Sequence, residues 1–117
     1  MNIYRENILE HLKHPNNSGN LNNYDIKVHD INLSCGDEIE IELKLENNKV
    51  KDARFQGKGC AISLASADIL LENIKGKSLK KIKNITKEDL LKLLGIELTQ
   101  TRMNCALLSL NTLKQIK

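Results

Sequence analysis

The chain has 117 residues, 40% hydrophobic and only 3% aromatic, which is the length of one domain and predicts a core of Leu and Ile side chains. Its 18 Lys and Arg stand dispersed among 15 Asp and Glu for a net charge of +3, so no basic face is concentrated enough to make nucleic acid the expected partner. No stretch approaches the roughly 20 apolar residues of a bilayer span, and the opening MNIYRENILEHLKH is too polar for a secretory signal, so a cytoplasmic protein with no membrane partner is expected.

Ile3, Ile8, Leu9 and Leu12 recur near helical spacing between Asn2 and Lys13. Pro15 ends that run, because the residue before a proline is pushed out of helical backbone. Asn16 to Asn23 is turn chemistry, rich in Asn with Ser18 and Gly19. Beyond Asp25, Ile26-Lys27-Val28 and Ile31-Asn32-Leu33 look extended, and Ile39, Ile41, Leu43 and Leu45 alternate with Glu40, Glu42 and Lys44 as a half-buried strand does. Asn47-Asn48 predicts a tight turn into a third strand through Val50, Ala53, Phe55 and Gln56, giving an antiparallel meander.

After Gly57-Lys58-Gly59-Cys60 the period becomes helical, with Ile62, Ala65, Ile69 and Leu70 on one face and Gly76 at the end. Thr86 with Asp89 predicts a capped helix through Leu90, Leu91, Leu93 and Leu94, closed by Gly95. A last helix is expected from about Arg102 to Ile116. The expectation is a single α+β domain over residues 1–117: an N-terminal helix, a three-stranded antiparallel sheet, and C-terminal helices packed on one sheet face.

Three cysteines, Cys35, Cys60 and Cys105, make an odd number, and intracellular thiols are kept reduced, so they are not read as a disulfide framework. Each falls where one predicted element meets another. Cys60 and Cys105 are expected near helix N-termini, where unpaired N–H groups and the positive dipole end stabilise thiolate. Cys35-Gly36-Asp37 adds a carboxylate two residues from a thiol. Three thiolates and one carboxylate suit tetrahedral zinc and an iron–sulfur cluster alike. The long separations match no compact zinc spacing, so three ordinary buried cysteines account for the residues as well as a metal site does, and Asp37 alone reads as a turn residue. His11 and His14 read as surface residues of the first helix, and His29 as a strand residue without chemistry.

Five markers then follow one another in order. They are Tyr4 and His11 with His14-Pro15-Asn16-Asn17-Ser18-Gly19-Asn20-Leu21; Ser34-Cys35-Gly36-Asp37 ahead of the alternating strand; Asp52-Ala53-Arg54-Phe55 running into Gly59-Cys60-Ala61-Ile62-Ser63-Leu64-Ala65-Ser66-Ala67-Asp68; Lys75-Gly76-Lys77-Ser78-Leu79; and Arg102-Met103-Asn104-Cys105-Ala106-Leu107-Leu108. Together they resemble the scaffold family of iron–sulfur cluster assembly that comprises IscU, SufU and the N-terminal domain of NifU.

The resemblance implies an IscU/SufE-like fold and makes Cys35, Asp37, Cys60 and Cys105 the ligands of iron or a [2Fe-2S] cluster, with zinc an alternative in the same site. It implies a non-enzymatic scaffold or sulfur-transfer partner that accepts sulfur from a cysteine desulfurase and hands clusters to iron–sulfur apo-protein acceptors, as a monomer or weak homodimer. Cys35, on a glycine-containing loop, is expected to take the persulfide, with Cys105, favoured in IscU-type members, as the alternative. Asn104 stands where IscU-type members have His, and Ile96 to Thr101 lacks their Leu-Pro-Pro-Val-Lys stretch, so release driven by an Hsp70-type chaperone is not expected. Ala61-Ile62-Ser63 and Arg102 look more like SufU, a zinc-containing sulfur acceptor, although the insertion usual in SufU between the second and third cysteines is missing. A zinc-holding relay of persulfide and, from another class, a structural zinc domain are therefore the alternatives. A thiol redox enzyme ranks last, because the chain has no close Cys-x-x-Cys pair.

Overall fold

The computed structural model describes residues 3–32, 36–95 and 98–116. Over them the chain runs α1 (Ile3–Lys13), β1 (Ile26–Asn32), β2 (Asp37–Glu46), β3 (Lys49–Lys58), α2 (Ala61–Ile74), α3 (Leu79–Lys83), α4 (Lys87–Leu94) and α5 (Gln100–Leu113). The three strands form one antiparallel sheet in the order β1-β2-β3, the α+β arrangement expected from the sequence. The short α3 was not legible, since five residues carry too little periodicity; its start is marked only by Ser78, whose side chain accepts from the Lys81 N–H.

Alternation decides which face of the sheet is buried. Ile39, Ile41 and Leu43 of β2 are buried, opposite Asp30, Val28 and Ile26 on β1 and opposite Gly57, Phe55 and Ala53 on β3. The register slips between Lys44 and Leu45: Lys44 faces Asp52 while Leu45 faces Val50, leaving Lys51 as the extra residue of a bulge. That bulge is why the apolar positions of β3 fall at Val50, Ala53 and Phe55 rather than at every second residue. Asn47 and Asn48 take positive φ of 55° and 65°, the left-handed backbone that a two-residue hairpin needs and that Asn tolerates.

α2 packs over β3, α5 lies over β1 and β2, and the two helices meet along their length. Leu70, Leu71 and Ile74 of α2 and Leu110 and Leu113 of α5 are fully buried between them and the sheet, with Ile82, Leu90 and Leu94 closing the core from the shorter helices. α4 opens with the predicted capping box, Thr86 accepting from the Asp89 N–H and Asp89 from the Thr86 N–H, and closes on Gly95 at φ 68°. On the outer face Glu42 is buried because the chain from Gly19 to Asp25 passes over it. The Gly19 N–H donates to the Phe55 carbonyl, Leu21 N–H to Glu42 Oε1 at 2.9 Å, and Asp25 N–H to the Leu43 carbonyl. Among the described residues no helix is long and apolar enough to cross a membrane.

α1 is tied to α2 by polar contacts. His11, expected as a surface residue, is instead largely buried, with Nδ1 hydrogen-bonded to Asp68 Oδ2. Asp68, wholly buried, also accepts from the backbone N–H of Asn16 and Asn17 and from Asn17 Nδ2. The correction has a plain cause: the partner is 57 residues away in sequence, and helical periodicity carries no sign of it. His14 is exposed as expected, and His29 lies in β1 as expected, with its side chain exposed.

Candidate metal centre

The end of the sheet away from the Asn47-Asn48 turn gathers the chemistry. β2 starts at Asp37, and β3 ends at Lys58 opposite Glu38, so the chain leaves the sheet beside Asp37 and enters α2 through Gly59 and Cys60. Gly59 makes that approach feasible: a Cβ there would lie 2.9 Å from Asp37 Cγ and 3.0 Å from its Oδ1. A Cβ on Gly57 would lie 2.4 Å from the Glu38 carbonyl oxygen, so the backbone crossing needs glycine at 57, while glycine at 59 leaves room for the Asp37 carboxylate. α5 then brings Cys105 in against both.

A carboxylate oxygen of Asp37 and the sulfurs of Cys60 and Cys105 all lie within 4.8 Å of one another. Tetrahedral zinc with its usual Zn–S and Zn–O bonds sets ligands about 3.5–3.8 Å apart, a contraction that side-chain rotation supplies. Oxygen plus soft thiolate sulfur is also an iron–sulfur donor set, so the residues present fit zinc, iron or a cluster. Asp37 and Cys105 are buried and Cys60 is half-buried. Cys35, the fourth expected ligand, lies outside the described residues, as do Ile96 and Glu97 of the segment compared with the chaperone-binding stretch.

Ser63 sits among these groups. Its hydroxyl donates to Asp37 Oδ2 at 2.6 Å and stands 3.1 Å from the Cys105 carbonyl oxygen, while Cys60 Sγ lies 3.6 Å from the same hydroxyl. Cys60 is the N-cap of α2, its sulfur accepting from the Ser63 N–H at 3.5 Å. Burial pushes the Cys60 thiol pKa up, but the Ser63 N–H and hydroxyl, the Cys105 thiol and the Ile62 N–H together outweigh it and hold the thiol below its ordinary range.

Two expectations need correction. Cys105 does not share the benefit of a helix start, because α5 begins at Gln100 with Thr99 as its N-cap, putting Cys105 beyond the first turn where the dipole acts. Its setting is burial and the contact with Cys60. Asp37 is not a turn residue but the buried first residue of β2. Ser63 and Gly59 stand in the sequence markers without a site role, yet Ser63 is three residues after Cys60, the spacing at which a capping residue and its reciprocal partner meet.

The NifU-like N-terminal domain family matches residues 3–116. The zinc-dependent sulfurtransferase SufU of Bacillus subtilis is 35% identical, with 97% of this chain and 88% of that protein covered. That alignment runs over 130 residues against 117 in this chain, so the relative holds segments this chain lacks, in keeping with the missing insertion. The iron–sulfur cluster assembly scaffold protein IscU of Escherichia coli is 30% identical over 95% of this chain and 88% of its own. Among solved structures, a SUF-system iron–sulfur cluster assembly scaffold protein from Fervidobacterium islandicum superposes with a TM-score of 0.77 at 28% identity, covering 94% of this chain and 93% of that one.

Proposed function

The chain belongs to the NifU-like N-terminal domain family, and from that premise we propose that it is an iron–sulfur cluster assembly scaffold: one domain over residues 1–117 that holds iron or a [2Fe-2S] cluster as cargo on Cys35, Asp37, Cys60 and Cys105. The observation that carries this reading is the convergence of the Asp37, Cys60 and Cys105 donor atoms to within 4.8 Å at one end of the sheet. Its partners are a cysteine desulfurase and iron–sulfur apo-proteins in the cytoplasm, and it works as a monomer or weak homodimer.

Sulfur arrives by exchange. The Cys35 thiolate attacks the terminal sulfur of the desulfurase's cysteine persulfide; a new S–S bond forms at Cys35, the donor's S–S bond breaks, and the donor cysteine leaves as thiolate. Cys105 is the alternative acceptor. Alkylation of single cysteine-to-serine variants after sulfur loading separates the two: loss of label in Cys35→Ser alone supports Cys35, and loss in Cys105→Ser alone supports Cys105. Asp37 is the harder ligand and the one that leaves when cargo is handed on. Asp37→Ala is therefore expected to slow cluster release to an apo-acceptor, and faster release from the variant contradicts that role.

The second reading, a sulfur relay that builds no cluster, is favoured by the zinc-dependent Bacillus subtilis relative. Zinc held by the same residues would keep their thiols deprotonated. A chain that unfolds on chelation and never accelerates a desulfurase would instead be a structural zinc domain.

A further inference from the structure

Every site residue that the structure describes touches one hydroxyl. Ser63 Oγ is 2.6 Å from Asp37 Oδ2, 3.1 Å from the Cys105 carbonyl oxygen and 3.6 Å from Cys60 Sγ. A serine hydroxyl has one proton to give and two lone pairs to receive with. The short contact commits that proton to a charge-assisted hydrogen bond with the Asp37 carboxylate, and Cys60 Sγ lies 3.6 Å from the same oxygen.

Resting on the metal-centre reading above, the geometry points to Ser63 as the positioning residue of the site. Its O–H holds the Asp37 carboxylate in the orientation from which it meets an ion shared with Cys60 and Cys105. The Cys105 carbonyl gives the same proton a second acceptor, so when Asp37 turns away the buried hydroxyl is not left without a partner. One residue thus both presents Asp37 and lets it go. The role belongs to the hydroxyl and not to the helix start, since alanine at 63 keeps the backbone N–H that the Cys60 sulfur caps.

The test is zinc affinity, measured anaerobically under reducing conditions by competition with a chromophoric chelator. The full chain is compared as wild type, Ser63→Ala, Ser63→Thr, Asp37→Ala and the Ser63→Ala/Asp37→Ala double variant, with the thermal midpoint of each metal-free protein recorded to separate loss of fold from loss of binding. Removing an outer-shell partner lowers metal affinity typically about 10–100-fold. Ser63→Ala is expected to bind zinc on the order of tenfold more weakly, and Ser63→Thr, which keeps the hydroxyl, to stay within about threefold of wild type. Because Ser63 acts through Asp37, adding Ser63→Ala to Asp37→Ala is expected to change affinity by less than about twofold. Equal affinity of wild type and Ser63→Ala overturns the inference alone, as does a Ser63→Ala loss that persists undiminished without Asp37. A wild-type chain that takes up no zinc overturns the zinc-capable centre itself, and the inference with it.

Discussion

Two buried polar clusters are built on α2, one at its N-cap and the other about two turns further along, and they spend their carboxylates differently. Asp68 is wholly enclosed and takes hydrogen bonds from nitrogen on every contact described: the His11 ring, the Asn16 and Asn17 N–H groups and the Asn17 side chain. Asp37 is also buried, and the groups described around it include the Ser63 hydroxyl and two sulfurs. The first is a tie that fastens α1 and its following loop to the helical layer. The second sets a hard donor among soft ones around a point an ion can occupy. A buried carboxylate alone signals neither role; the atoms around it do.

The contrast predicts that the two clusters fail separately. Asp68→Ala strands three donors, the Asn17 side chain keeping the residue 68 carbonyl and Glu72 as acceptors, and is expected to lower folding stability by about 3–5 kcal/mol in urea denaturation, while the folded fraction keeps its zinc affinity; lost zinc binding at full stability would reverse the assignments. Gly59→Ala should do the opposite. Its methyl would meet the Asp37 carboxylate at 2.9 Å, so zinc affinity is expected to fall about 10–100-fold with a stability change under about 1 kcal/mol. Chelator competition and urea midpoints on one preparation read both.

The smallest effects belong where neither cluster reaches. Thr86→Ala removes the α4 cap and should cost about 1 kcal/mol with zinc binding unchanged. Its partner Asp89 has its carboxyl held below the usual 3.8, first by the Thr86 N–H and then by the Thr86 side chain. The stabilisation it gives is therefore present above that value and lost as pH falls through the lower folded pKa. The stability gap between wild type and Asp89→Asn should be full at neutral pH and close below about pH 4; a gap constant down to pH 2 would show that the carboxylate is not what caps the helix.

Local rules made much of the fold legible. Alternation from Ile39 to Leu45, the Asn47-Asn48 turn, and Thr86 with Asp89 and Gly95 each announce their element, because the forces that fix them act within a few residues. Two slips have different origins, one a local cap and one a distant partner. The start of α5 depends on Thr99 accepting from the Arg102 N–H, and moving it from Arg102 to Gln100 was enough to take Cys105 out of the first turn. His11 looked exposed because its partner lies beyond the reach of any helical period. At the site, the motifs gave Asp37, Cys60 and Cys105 their roles and contained Ser63 and Gly59 without one, because the importance of these two comes from what α5 and β2 bring against them.

The most direct test is to measure iron, zinc and acid-labile sulfide in the anaerobically purified chain before and after incubation with a cysteine desulfurase, cysteine and ferrous iron. A scaffold gains iron and sulfide together, with visible charge-transfer absorption that Cys60→Ser and Cys105→Ser abolish. A chain that keeps one tightly held zinc, gains no sulfide and merely raises desulfurase turnover contradicts the scaffold reading and is a sulfur relay instead.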